Sequence, residues 1–359
     1  NTLVPPDARH MENPGRWVGQ SSWPSEDVTY HRVFLGSGHL SETPIEGNPI
    51  ELSSPQSCGL DSGEYMPWYM TGPSSQLALE QRTDDAKSAT FDTAPRDTPL
   101  EILGTPFAEL VLTPRTSNGL IAVRLCDVWP DGASTLICYG VLNLAQRDGK
   151  DVPKTLVPGT PYRVRVRLND TGYTVAPGHR LRLGVSTSYW PIAWPTPTKA
   201  DIVLDAAASH IELPVLETDG HVDDIAPFEA PRTPPPLKMT TLEPSHQERT
   251  ITHDVESGDI TFHLIKDGGC VRLHHNNIEM ASSTTERYTI RDDDPCSAKA
   301  AYTCEYKVGR GDWQTRTSGK LTMTCDSNTF FVIAELDAYE GDKRIFSRNW
   351  DLAIPRDGF

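Results

Sequence analysis

No stretch of this 359-residue sequence approaches the ~20 consecutive apolar residues that a membrane-spanning helix needs. Basic residues are also scarce: 33 Lys and Arg stand against 49 Asp and Glu, a formal net charge of -16. Nucleic-acid affinity comes largely from neutralised phosphates, so this balance argues against a nucleic-acid partner and against an anionic membrane surface. The seven cysteines contain no C-x-x-C pair, which removes zinc ribbons and dithiol redox motifs. Cys126 and Cys138 sit in strand-like runs where a buried free thiol is expected, a disulfide among the four later cysteines stays open, and a reduced, cytoplasmic setting is favoured. Long amphipathic helices are missing too; the helix-like stretch Ser75 to Lys87 stands alone.

What is present is aromatic and turn-rich. Eight Trp, 11 Tyr and 9 Phe argue for packed cores, and 30 Pro with 26 Gly punctuate the chain into short segments. Strand signals follow one another at Thr29–Leu35, Ala89–Asp92, Leu100–Leu103, Phe107–Thr113 and Gly119–Val128. Trp129-Pro130-Asp131-Gly132 is a turn, since Pro presets φ and Gly accepts a positive one, and Ser134–Leu144 pairs back across it as a hairpin. Tyr162–Leu168 alternates three Arg against Val164, Val166 and Leu168, the signature of a half-buried antiparallel strand. His179–Ser188, Ile202–Leu204 and His210–Val215 close the series. The expected fold is all-β: an antiparallel sandwich of jelly-roll, galactose-binding-like type, with a second antiparallel β domain after it. The prolines at 231 and 234–236 mark the boundary, giving a segment 1–24, a sandwich 25–226, a stiff linker 227–237 and a second domain 238–359. Trp313 and Trp350 are expected to anchor the second core.

The chemical motifs are mostly negative. Gly36-Ser37-Gly38 lacks the spacing of a hydrolase nucleophile elbow; Gly184–Ser188 lacks the closing Gly and sits in a strand. His179 lies close in sequence to Ser186, but a structural role outweighs a catalytic pairing. His274 and His275 are adjacent, so on a strand they would face opposite ways. Asp292-Asp293-Asp294 reads as a solvated turn rather than a cation site, because the spaced ligands of a calcium loop are missing. No metal or cofactor is expected. Two aromatic groups remain as candidates. Tyr189, Trp190 and Trp194 form a possible contact cluster, either a sugar-stacking platform or a packed plug. Met66, Trp68, Tyr69 and Met70 stand in a long Gly/Ser/Pro loop, Ser53 to Ser75, of a length that is often functional.

An ordered set of motifs resembles the C-terminal part of the CocE/NonD hydrolases, a domain shared with X-Pro dipeptidyl-peptidases, cocaine esterase and α-amino-acid ester hydrolases. Its elements are Arg124–Gly132, Gly140–Leu144, Leu156–Gly159, Pro177–Leu183 and Ser188-Tyr189-Trp190-Pro191. Upstream, Gly15–Val18 with Ser22-Trp23-Pro24 is similar to the segment joining the catalytic domain to the jelly roll, and Gln81–Asp85 with Gly104 to the entry into it. Downstream, Asp293–Ala298, Arg310–Trp313 and Ile354–Asp357 resemble the extra β domain of longer members. The resemblance implies a serine hydrolase whose α/β domain precedes this chain and cleaves acyl esters or X-Pro peptides. No residue here matches its Ser, His or Asp, so no catalytic residue carries over. The implied partners are that hydrolase domain and its small acyl ester or peptide substrate, with homo-oligomers an open option. Met66, Trp68, Tyr69 and Met70 become the expected substrate-side lining. A free-standing carbohydrate-binding module is the alternative reading, resting on Trp190 and Trp194.

Overall fold

The structure is a computed structural model that describes residues 15–65, 77–218, 228–230 and 232–357. It is all-β, with antiparallel sheets. The chain divides into two compact units with the boundary between Pro227 and Phe228.

The first unit runs through β1 (Val28–Leu35), β2 (Leu40–Ser41), β3 (Ile50–Leu52), the one-turn helix α1 (Arg82–Asp85), β4 (Ala89–Asp92), β5 (Leu100–Gly104) and β6 (Phe107–Pro114). It continues through β7 (Leu120–Val128), β8 (Ser134–Asn143), β9 (Tyr162–Arg167), β10 (Thr171–Val175), β11 (Arg180–Ser186) and β12 (Ile202–Leu216). Two sheets result: one of eight strands organised on β12, and one of four in the order β4-β11-β7-β8. The runs Ile202–Leu204 and His210–Val215 are one strand, because a bulge between Asp205 and His210 carries pairing with β6 across the intervening Ala-Ala-Ala-Ser. The alternation expected at Tyr162–Leu168 is observed, with Val164, Val166 and Leu168 buried and Arg163, Arg165 and Arg167 exposed. These side chains join Val33, Leu110, Ile121, Val123, Leu125, Leu181, Leu183, Ile211 and Leu213 in one core drawn from both sheets. The hairpin β7–β8 forms as expected, with Gly132 at φ +90° and Asp131 Oδ1 accepting the Ala133 N–H at 3.0 Å.

Every residue of β7 is buried. One face supplies Ile121, Val123 and Leu125 to the core. The other face, carrying Ala122, Arg124 and Cys126, is covered as well, and the chain from Ser54 to Gly63 is buried throughout except for Pro55. Of the helix-like stretch Ser75 to Lys87, the described residues from Leu77 onward form only the single turn of α1, where Asp84 and Asp85 turn inward to polar partners instead of onto a helix surface.

The second unit is one eight-stranded antiparallel sheet: β13 (Met239–Glu243), β14 (His246–His253), β15 (Ile260–Leu273), β16 (Glu279–Arg291), β17 (Asp294–Arg310), β18 (Trp313–Cys325), β19 (Thr329–Glu340) and β20 (Lys343–Pro355). From β15 onward each strand pairs with the next in sequence. Ser/Thr-rich pieces such as Ser282–Thr285 stay in register with Thr303–Tyr306 and keep its strands continuous. Asp292 and Asp293 form the turn between β16 and β17, flanked by an Arg291–Asp294 ion pair. The most buried apolar side chains are Ile260, Phe262, Leu264, Ile290 and Ala298. Trp313 is not among them: it begins β18 beside the Gly311 turn and is 47% exposed, a correction to the expected anchor. Trp350 is half-buried under Arg348.

Candidate functional site

The strongest concentration of buried polar chemistry lies on the covered face of β7. Arg124 is fully buried, and its guanidinium has room because its neighbour across β11 is Gly184, whose Cβ would stand 3.1 Å from Arg124 Nη2. Arg124 Nη1 donates to Gln81 Oε1 at 3.0 Å and lies 3.0 Å from Asp85 Oδ1, while Nη2 donates to Ser88 Oγ at 2.9 Å. Arg182 donates to Asp85 Oδ2 at 2.9 Å and, through Nε and Nη2, grips Asp92 at 2.6 and 2.7 Å. A bidentate guanidinium–carboxylate pair of this kind fixes geometry as well as charge.

This network holds the root of the long loop. Asp84 accepts the backbone N–H groups of Gly59 at 3.0 Å and Asp61 at 3.2 Å. Gln81 Nε2 donates to the carbonyls of Asp61 and Leu79, both at 2.8 Å. Lys87 Nζ donates to Ser57 O at 3.1 Å, and Ser188 Oγ to Gln56 O at 3.0 Å. Burial pushes the Asp84 carboxyl above its usual range, against the opposing pull of Arg124. Gly59 has φ +111°, and a Cβ there would meet the Trp190 carbonyl oxygen at 2.7 Å. The Trp190 N–H donates to Cys58 O at 2.8 Å, so loop and strand end are bonded directly. Desolvation lifts the Cys58 thiol to about 11 and Cys126 to about 12.

The aromatic candidates separate into two groups. Tyr189, Trp190 and Trp194 are brought together: Trp190 and Trp194 meet edge to face at 5.3 Å, and Tyr189 packs on Tyr139 at 5.1 Å. Tyr189 and Trp190 are each 1% exposed, which leaves neither a ring face for a sugar to stack on. Met66, Trp68, Tyr69 and Met70 lie outside the described residues. The loop is described as far as Tyr65, which is 77% exposed.

His179 has a partner that sequence reasoning missed. Its Nδ1 lies 2.9 Å from Asp127 Oδ1, Tyr173 donates to Asp127 Oδ2 at 2.9 Å, and Trp129 packs on the imidazole at 4.9 Å. Burial raises the Asp127 carboxyl, with Tyr173 and His179 opposing. Among the described residues no serine or cysteine hydrogen-bonds to this histidine. Ser186 instead donates to Ser188 O at 2.9 Å. No group of three or more His, Cys, Asp or Glu among the described residues is placed to hold a metal. An arginine inside an apolar strand, a mid-strand glycine and the adjacent acids of Gln81–Asp85 were the available signals for the network. Their meeting is spatial, and pattern alone does not register it.

Fold and site together define an antiparallel all-β module whose buried charges act as scaffold. The chain belongs to the family described as the X-Pro dipeptidyl-peptidase C-terminal non-catalytic domain, which matches residues 4–250. It is 25% identical over 189 residues to the cocaine esterase of Rhodococcus sp., covering 49% of this chain and 32% of that protein. It is 29% identical over 227 residues to a putative serine esterase of Mycobacterium bovis, covering 56% and 36%. The chain thus spans about a third of the curated relatives it matches. Among solved structures, an aminopeptidase from a marine sediment archaeon, Thaumarchaeota archaeon, aligns with TM-score 0.48 and 21% identity over 55% of this chain and 38% of that one.

Proposed function

We propose that this chain is the non-catalytic C-terminal region of a CocE/NonD-type serine hydrolase acting on acyl esters or X-Pro peptides. It packs on an α/β-hydrolase domain and contributes to the wall of that domain's active site. The observation that carries the reading is the match of residues 4–250 to a non-catalytic domain. The division of labour is a joining segment 1–24, a sandwich 25–226, a linker 227–237 and an accessory β domain 238–359. The Arg124–Asp84–Asp85 network supports it physically, because buried hydrogen bonds fix the root of the loop that carries Met66, Trp68, Tyr69 and Met70.

The test has two arms. The chain alone is assayed on p-nitrophenyl acyl esters and X-Pro amides, then mixed with the separately expressed hydrolase domain and sized. No turnover alone, association on mixing, and a raised KM with Trp68→Ala or Tyr69→Ala in the complex are expected. Turnover by the chain alone that a serine-directed inhibitor abolishes would sink the proposal.

A further inference from the structure

In the first unit a cleft of about 440 Å³ is lined from both sheets. One sheet contributes Val33, Leu40, Leu100, Leu213 and Val215; the other contributes Leu181 and the connection from Thr93 to Thr98. The apolar lining is entirely aliphatic, with no aromatic ring but the imidazole of His31. That volume lies within the range of small-molecule sites. A lining without Trp, Tyr or Phe offers nothing for a sugar or a nucleobase to stack on.

The polar groups of the cleft are of both signs. Arg96 Nη1 lies 3.2 Å from Glu42 Oε1, with Asp97 beside it in sequence. Glu42 is the more exposed partner, its side chain 76% exposed against 23% for Arg96, and an ion pair so open to water is worth little. Arg96 Nε is buried with no acceptor, although its backbone is tied down by N–H donation to His179 O and by Gly178 N–H on its own carbonyl. His31 is already engaged by Glu217 and Thr29. Thr93 Oγ1 accepts the Leu181 N–H at 3.0 Å, which leaves its hydroxyl proton to donate.

These groups select among ligands. A lone anion would meet Glu42 and Asp97, and a lone cation would meet Arg96. A neutral hydrocarbon would leave the charges unused. A molecule carrying both an ammonium and a carboxylate meets an opposite charge at each end, while its body fills the aliphatic lining. We propose that this cleft binds a small aliphatic zwitterion, of the size and chemistry of a leucine-class dipeptide, with its carboxylate on Arg96 and its ammonium on Glu42. None of the residues lining this cleft belongs to the Arg124 network at the loop root.

The probe is Leu-Leu, titrated into the full chain carrying 13C-labelled Leu and Val methyls. Saturable shifts confined to Val33, Leu40, Leu100, Leu181, Leu213 and Val215 are expected, with a Kd of about 1 mM or tighter. N-acetyl-Leu-Leu-amide, which lacks both charges, and Gly-Gly, which lacks the body, should each bind about tenfold more weakly. Glu42→Gln, at an exposed position, and Arg96→Gln should weaken Leu-Leu by a similar factor while leaving the free methyl spectrum otherwise unchanged. Absent shifts, shifts centred elsewhere, equal binding of the capped peptide, or wild-type affinity in both variants would each overturn the assignment. Because no hydrolase domain is used, such a failure leaves the proposal on esters and X-Pro peptides standing.

Discussion

At the scale of single residues, the decisive ones are charges placed where water cannot reach. Arg124 is 0% exposed and answers Asp85, Gln81 and Ser88 at once. Removing one member of a buried ionic network strands the others, at a cost of about 3–5 kcal/mol. Arg124→Ala should therefore lower the urea midpoint of the first unit's transition by a large part of its total stability, whereas Arg163→Ala, an exposed side chain on β9, should leave it almost unmoved. Asp127 gives a second residue-level test. Its carboxyl titrates above the usual carboxylate range because it is buried, so the native state holds the proton more tightly than the unfolded chain does. The stability this contributes is complete below the ordinary Asp value, about 4, and is lost as pH rises through the raised native value. Across that interval the denaturation midpoint of wild type should fall relative to that of Asp127→Asn as pH increases. A wild-type midpoint that rises relative to the variant's would contradict the assigned direction.

Elements show what the sequence could and could not reveal. Gly59 is where the covering loop touches the chain after β11, and its backbone occupies a conformation that side chains rarely adopt. Gly59→Ala would press a methyl into the Trp190 carbonyl and impose backbone strain of about 1–3 kcal/mol. The expected readout is a red-shifted tryptophan emission together with a lower midpoint; an unchanged spectrum would mean that the contact is dispensable. The hairpin β7–β8 and strand β9 were legible because local rules set them: a Pro-Asp-Gly turn, and strict alternation of Arg with Val and Leu. Strand β10 escaped notice because Thr171-Gly172-Tyr173-Thr174 has little apolar pattern, and it is pairing with β5 that holds it extended. The second face of β7 was illegible for a different reason. A run such as Leu120–Val128 announces burial, but nothing in it says that the cover would be a loop more than 50 residues upstream. For the same reason the sequence left Trp190 open between a sugar platform and a packed plug, and its burial decides for the plug: an aromatic at a strand end carries no mark of what lies over it.

On the scale of the whole molecule, the two units are built from the same kind of strand by opposite rules of connection. In the first, β1 pairs with β12, so Val28 stands opposite Leu216 and the sheet cannot complete until both ends of the unit are present. In the second, from β15 to β20, each strand needs only the one just before it, across turns as short as Gly341-Asp342. Loop-closure entropy must be overcome before distant contacts can repay it, and chains dominated by local pairing form faster by orders of magnitude. Refolding of the full chain, followed by pulsed hydrogen exchange, should protect amides of β16–β19 well before those of β1 and β12. Earlier protection of β1 would refute this order. The meander at the end of the chain would then be the part that assembles first, a pre-formed C-terminal body waiting for the longer-range closure of the sandwich ahead of it.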